Sequence, residues 1–470
     1  MLWPRGEGLE DHDGILVENE ASLKEMGKDF FANIYKDEGS TSLDQQLKVI
    51  SLFPRFIPSE QSSLLSKPVS LHEIELALKA FKKDRSPGPD GWPVEFYLHF
   101  FDLLSPILLK VIDQTRVSGF VPPSLNSTFL ALIPKKDKPR TFADFRPISL
   151  CNLLYKLIAK IIAGRLKPFL DLGISREQFV FLKDRQISEP IGIVQEVLHS
   201  IKTKNLCAFI LKLDLTKAFD RVDWSYVRLI LIQIGIPLLT VNWIMACITS
   251  VNFAVLVNGT PSPFFTASRG IRQGYPLSPL LFILVIEGFS LLIRDARNNG
   301  LIRGIQISPS LALSHLLFVD DVILMGSGTL LDWSSFEVIL ETFSKASGMK
   351  INVEKSCLLY CNMDNAVQNS FASSMPYRML PLHSGFTYLG YFLKPLGYRV
   401  NDWIWLLQKF EKRISNWTFQ YLSLGGRLVL VQSILSSTTT FRCKMRQLLP
   451  TARGFFLFNL PKITKFNFFF

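Results

Sequence analysis

The sequence holds little cysteine: 6 in 470 residues, too few and too scattered for a disulfide scaffold. Cys357 and Cys361 stand four apart, but no neighbouring Cys or His pair completes a zinc pattern, which leaves ordinary intracellular thiols. A long unbroken apolar run is also missing. The longest, PLLFILVIEGFSLLI, contains Glu287 and is too short to span a bilayer, so it reads as a buried helix. The opening MLWPRGEGLEDHDG has no apolar h-region, so no secretory signal is expected. Repeats and low-complexity linkers are lacking. Acid is absent from one end: Lys412 to Phe470 carries nine Lys or Arg and no Asp or Glu, whereas residues 1–50 carry 11 acids against 5 Lys or Arg.

What is present suits a globular chain. Hydrophobic residues make up 48% and charged residues 20%, and the length allows two to four domain-sized units. The formal net charge of +12 favours a polyanionic partner, either nucleic acid or an acidic membrane surface. ASLKEMGKDFFANIY spaces Leu23, Met26, Phe30 and Ile34 as a helix face. SLHEIELALKAFKK starts with a candidate capping box, Ser70 and Glu73, and buries Ile74, Ala77, Leu78 and Phe81. SPGPDG stops it. FLALIPKKD predicts a strand entering a basic turn, and a long helix follows from about Asn152. FAVLVNGTPSPFFTA predicts a hairpin about Asn258-Gly259, with a helix over Ser278–Arg297. GMKINVEKSCLLY and FTYLGYFLK predict short strands, and helices dominate from about Asn401 to Ser436. Helices mixed with separate antiparallel hairpins predict an α+β fold rather than a doubly wound sheet.

In LSHLLFVDDVILMGSG two adjacent acids, Asp320 and Asp321, interrupt an apolar hairpin. Burying an unpaired carboxylate is costly, and two close carboxylates repel unless a cation joins them. Asp214 ends the strand FILKLD, where Leu211 and Leu213 alternate around Lys212. Set beside the hairpin, Asp214 would face its tip. Three carboxylates on neighbouring strands suit two hard divalent ions, Mg²⁺ with Mn²⁺ as a substitute. Such a pair activates a hydroxyl and steadies a leaving pyrophosphate. Taken singly, a DD pair is a solvated turn and DLTKAFD is a helix start with Asp214 near its N-cap.

These stretches, in their order, resemble the reverse transcriptases of LINE-type (non-long-terminal-repeat) retrotransposons, plant elements most. KKDRSPGPDGWPVEFY is similar to the N-terminal fingers motif. FLALIPKKDKPRTFADFRPISLCNLLYKLIAKIIAGRLKP and EQFVFLKDRQISEPI resemble the fingers blocks. LKLDLTKAFDRVDW, SRGIRQGYPLSPLLFILVIEGFS, LSHLLFVDDVILMG, GMKINVEKS and YLGYFL resemble successive palm motifs. RISNWTFQYLSLGGRLVLVQSIL resembles the start of a thumb. The resemblance implies a right-hand polymerase fold. Its expected parts are a connecting segment at 1–60, fingers at 61–205, a palm with an antiparallel sheet at 206–395, a partial thumb at 396–437 and a basic tail at 438–470.

The resemblance also implies roles. Asp214, Asp320 and Asp321 would hold the metals. Lys135 and Arg146 would reach the incoming triphosphate; the alternative is a solvated basic turn. Phe219 would lie under the sugar and reject a 2′-hydroxyl; the alternative is a core aromatic. Gln273 would lie by nucleotide and template. Lys355 would protonate the leaving pyrophosphate; the alternative is a surface lysine. Arg185 would touch the template backbone, and Tyr388, Leu389 and Gly390 would grip the primer. The implied partners are an RNA template, a DNA primer and deoxynucleoside triphosphates, with no membrane, in an intracellular, nuclear setting. Oligomeric state is open. Departures from the family pattern are Val319, where alanine is usual before the paired acids, and Tyr275, where an acid often follows RQG. Nothing resembling an endonuclease precedes the motifs, and after Ser436 the text leaves the thumb pattern, so a truncated element copy is expected. Two rivals remain: a catalytically inactive or maturase-like RNA-binding protein, and a membrane-surface protein using the basic tail.

Overall fold

The computed structural model describes residues 8–182, 184–374, 376–405 and 408. Most of the helical stretch expected over 401–436, residues 406–407 and 409–437 of the expected thumb, and the whole 438–470 tail lie outside the described residues.

A five-stranded sheet sits at the centre, in the order His315–Phe318, Asp321–Gly326, Ala208–Asp214, Cys357–Cys361, Arg378–Pro381. The first four strands pair antiparallel, as expected. The last pair, Cys357–Cys361 with Arg378–Pro381, is parallel, a correction to an all-antiparallel palm. The intervening helix Asn365–Ser374 carries the chain back to start its strand from the same end.

The alternation in FILKLD sorts this sheet's two faces. Phe209, Leu211 and Leu213, with Val322 and Leu324, face the large core. That core includes the helices Leu153–Gly173, Leu238–Thr249 and Ser278–Asn298. Ile210, Ile323, Met325 and Leu359 face a second cluster under the helix Ser188–Thr203, joined by Tyr388. Two residues further along this second face the apolar register gives way to Lys212, Asp214 and Asp321. One side of one sheet is therefore greasy at one end and ionic at the other.

A second sheet holds Phe145–Cys151, Ser127–Pro134, Asn252–Val257 and Thr260–Pro261, with Phe265–Thr266 also on Asn252–Val257. The Asn258-Gly259 turn closes its hairpin as expected. Ser127–Pro134 pairs in parallel with Asn252–Val257. The first helix, Glu20–Tyr35, packs on this sheet and is capped by Asn19, whose side chain accepts from Ala21 and Ser22 N–H. Its buried face is Leu23, Gly27, Phe31 and Tyr35. Met26, Phe30 and Ile34 are only half-buried, so the face is turned by one residue from the one expected.

Two further local expectations change. Ser70 caps its helix by accepting from Glu73 N–H at 3.2 Å, but the Glu73 carboxylate is taken by Arg165 at 2.7 Å through both oxygens. An ion pair with a forked guanidinium outbids the reciprocal half of a capping box. NVEKS forms a turn rather than a strand, with Ile351 making a lone bridge to Leu215. Glu287 is buried in the helix Ser278–Asn298, as expected. It accepts from Ser175 N–H at 3.2 Å and from Ser175 Oγ at 2.9 Å. Burial pushes its pKa up to about 8, so it sits in the core as a neutral acid. Among the described residues no helix is long and apolar enough to cross a membrane.

Candidate active site

The three acids meet where the two central strands end. Asp321 opens its strand and pairs directly with Asp214, the last residue of Ala208–Asp214. Directly opposed residues on antiparallel strands lie on the same face. Asp320 occupies the two-residue turn with Val319, whose φ is +56°. A β-branched residue in this left-handed region is strained, and the strain falls at the tip that presents the acids.

Electrostatics follow from this crowding. The pKa of Asp321 is pushed up to about 6, first by desolvation, then by the charges of Asp320 and Asp214, with Lys212 opposing. Asp320 is raised too, by desolvation and Asp214, against the nearby Arg146 and Lys355. Three hard oxygen donors crowded at one strand end make a donor set suited to divalent ions. The set is open as placed. Among the described residues the acid and histidine side chains whose ligand atoms lie within 4.8 Å of one another as a trio are Asp11, His12 and Asp13. These belong to a surface turn in which Asp11 accepts from Asp13 and Ile15 N–H.

Basic groups surround the acids. The turn after Ile351 is bound to Asp214 itself. Asn352 N–H donates to Asp214 O at 2.8 Å, and Asp214 N–H donates to Ser356 Oγ at 3.2 Å. This places the exposed Lys355 with Nζ 3.8 Å from Asp214 Oδ2. From the second sheet, Arg146 pairs in register with Ile133. Lys135 follows that strand, its Nζ donating to Ala143 O at 2.8 Å. Desolvation and the charges of Lys355 and Arg146 lower the Lys135 pKa, so the three cations share one neighbourhood. Phe219 stacks on Phe282 at 4.3 Å and 11°. Its carbonyl accepts from Ile271 N–H at 2.8 Å, which brings in Gln273 two residues later. Tyr388, Leu389 and Gly390 close a hairpin over the ionic end of the sheet. Lys212 Nζ donates to Thr387 O at 2.9 Å, and burial, then the charge of Asp321, raises the Tyr388 pKa.

A family model described as "Reverse transcriptase (RNA-dependent DNA polymerase)" matches residues 133–393, over half of the chain. The chain belongs to the reverse transcriptase family. Its α+β architecture, with two distinct five-stranded sheets, is that of the right-hand polymerase fold. It is similar to the "Transposon TX1 uncharacterized 149 kDa protein" of Xenopus laevis, 29% identical over 92% of this chain and 32% of that protein. It is similar also to the "Retrovirus-related Pol polyprotein from type-1 retrotransposable element R2" of Popillia japonica, 24% identical over 72% of this chain and 47% of that one. An uncharacterized mitochondrial protein of Arabidopsis thaliana is 51% identical over 67 residues, 14% of this chain and 55% of that protein. The chain thus spans less than half the length of the first two relatives, and its reverse transcriptase domain is related to those of R2-type elements.

Arg185 stands apart from the other candidate residues. Its guanidinium donates to the carbonyls of Ser175 (2.6 Å), Gln178 and Ile174. In this structure the side chain braces its own loop. Tyr275 is also a core residue, stacked on Tyr155 at 4.8 Å, with the Arg272 guanidinium over both rings.

Sequence reasoning missed several residues. Lys212 enters it only as the position around which Leu211 and Leu213 alternate, yet its i, i+2 spacing from Asp214 places it on the acids' face. Lys217 and Asp220 were read only as parts of DLTKAFD. A cavity of about 480 Å³ was missed as well. It lies between the SPGPDG loop, the start of helix Leu153–Gly173 and Gly274, and Lys82, Arg85, Lys156, Lys160 and Trp92 line it. The signal available was the KK and KDR cluster flanking SPGPDGW, which the motif match absorbed.

Proposed function

We propose that this chain is the RNA-directed DNA polymerase of a non-long-terminal-repeat retrotransposon, joining deoxynucleotides to a DNA primer on an RNA template. One observation carries the reading: Asp214 and Asp321 are direct cross-strand partners beside Asp320, with Lys355 Nζ 3.8 Å from Asp214. That is an acid cluster with a proton donor at its edge, ringed by cations suited to a triphosphate.

The 3′-oxygen of the primer attacks the α-phosphorus of the nucleotide. The bond to the bridging oxygen of the β-phosphate breaks, and pyrophosphate leaves. Asp214, Asp320 and Asp321 would hold two Mg²⁺ ions, with Mn²⁺ as a substitute, and these when bound supply charge neutralisation at phosphorus and an acidified hydroxyl. Lys355 gives its proton to the departing pyrophosphate oxygen. Lys135 and Arg146 bind the triphosphate from the second sheet. Phe219, wedged on Phe282, closes the space a 2′-hydroxyl would need. Gln273 lies beside nucleotide and template, and the hairpin of Tyr388, Leu389 and Gly390 rests on the primer. The basic cavity at Lys82, Arg85 and Lys156 takes the unpaired template backbone, and Trp92 offers its bases a stacking surface. On this reading the fingers span 61–205 and the palm 206–395. The short match to an Arabidopsis protein supports a plant-type element, and a DNA primer fits a nuclear setting.

Primer extension on an RNA template with Mg²⁺ tests the proposal, with Asp320→Asn as the control. Extension by the parent chain that disappears in the variant is expected. Tight, salt-sensitive RNA binding without extension would instead support an RNA-binding protein.

A further inference from the structure

One short segment, Phe30–Glu38, ties together three stretches of chain that meet at the candidate active site. The first is the loop after Asp214. Lys217 there adopts φ +47° and ψ +50°, a left-handed conformation that costs a non-glycine residue free energy and must be held by its surroundings. Its ammonium lies 4.5 Å from the centroid of the Phe30 ring. Three residues on, Asp220 is 3% exposed, and the Tyr35 hydroxyl donates to its Oδ1 at 3.0 Å.

The second stretch leads to Gln273. Ser268 and Arg269 N–H donate to the Tyr35 carbonyl at 2.9 and 3.2 Å. Arg269 Nε donates to Ile34 O at 3.0 Å. The third leads to Lys355. Lys350 Nζ reaches Glu38 at 2.5 Å, and Lys350 O accepts from Thr216 N–H at 2.8 Å, closing a circuit back to the first loop. Glu38 also receives Arg221 and Arg269, each at 3.0 Å. The Glu38 carboxyl is held at about 2, with Lys350 the largest cause and Arg269 next.

The segment packs on the second sheet, where Tyr35 stacks on Phe253 at 4.7 Å. Its polar and cation contacts go elsewhere, to Lys217, Asp220, Arg221, Ser268, Arg269 and Lys350, each within five residues of Phe219, Gln273 or Lys355. We propose that Tyr35 and Phe30 are positioning residues for the nucleotide site: Tyr35 acting through Asp220, and Phe30 through Lys217, set where Phe219 and the preceding loop meet the triphosphate and sugar. This rests on the polymerase reading above. It adds that nucleotide affinity and sugar discrimination are set in part by a helix nearly two hundred residues upstream of the catalytic loop, since Tyr35 and Asp220 are 185 positions apart.

The test uses the full chain, Tyr35→Phe, and the pair Phe30→Leu and Phe30→Tyr. Single-nucleotide incorporation gives KM and kcat for a deoxynucleotide and for the matching ribonucleotide. Tyr35→Phe removes one hydrogen bond to a charged group, so nucleotide KM should rise about 10-fold with kcat within about threefold, and preference for the deoxynucleotide should fall. Phe30→Leu should raise KM by a few fold, and Phe30→Tyr, which keeps the ring under the ammonium, should leave it near the parent value. In parallel, amide exchange at residues 216–219 should quicken in Tyr35→Phe while Ala208–Asp214 stays protected. KM and discrimination unchanged in Tyr35→Phe, or kcat falling as far as the melting temperature predicts, would overturn the proposal. Should the parent chain extend no primer, the polymerase reading falls; unaltered exchange at 216–219 in Tyr35→Phe would then overturn the clamp as well, and selective quickening would support it.

Discussion

Lys355 and Glu287 show how burial decides what a charged side chain does. Lys355 is exposed, and among the described residues the ion pair its ammonium makes is with Asp214 at 3.8 Å. A group so placed can lend a proton without first being desolvated. Lys355→Ala should lower kcat for nucleotide incorporation by about 10²-fold and change nucleotide KM much less, as measured by steady-state extension. Glu287 is the opposite case. Its pKa is raised to about 8 in the fold, against about 4.3 in an unfolded chain. A raised pKa means that its contribution to stability is complete below about pH 4, declines as pH climbs, and is lost above about pH 8. Glu287→Gln removes that decline. Urea unfolding of parent and variant should give similar stabilities near pH 4 and favour the variant at pH 9 by about 5 kcal/mol. A constant difference across pH would mean that Glu287 is ionised in the fold.

Elements whose determinants are local were legible in the sequence. The Asn258-Gly259 hairpin, the strand FILKLD with its alternation, the helix from Asn152 and the acid pair at a hairpin tip all follow from period and turn chemistry within about ten residues. Elements set by distant partners were not legible. The parallel pairing of Ser127–Pro134 with Asn252–Val257 joins strands more than a hundred residues apart. Glu73 loses half its capping box to Arg165, 92 residues away. Arg185 reads as a basic loop residue, and only the fold reveals the three carbonyls that occupy it. The SPGPDG loop is intermediate. Its stop signal is local, but the reason for Gly88 is not: a Cβ there would meet the backbone of Cys151 and Asn152 at 2.3 Å. Gly88→Ala must push the loop off the start of helix Leu153–Gly173. It should cost about 2 kcal/mol or more, read as a lower melting temperature. Template KM should rise too, because the same loop walls the basic cavity.

Charge is spread unevenly among the described residues. Three acids, Asp214, Asp320 and Asp321, lie at the junction of two strands. The cations Lys135, Arg146, Lys355 and Lys212 stand around them, and a separate group lines the cavity beside Gly274. A net charge of +12 favours a polyanion at the surface. Everything turns on whether Asp214, from one strand, serves the same ions as Asp320 and Asp321 from the next. Counting bound Mn²⁺ by electron paramagnetic resonance on the full chain with template, primer and nucleotide tests this directly. The parent should hold about two tightly bound ions, and Asp214→Asn should lose at least one of them with the fold intact. Equal Mn²⁺ uptake by parent and Asp214→Asn would contradict a shared site.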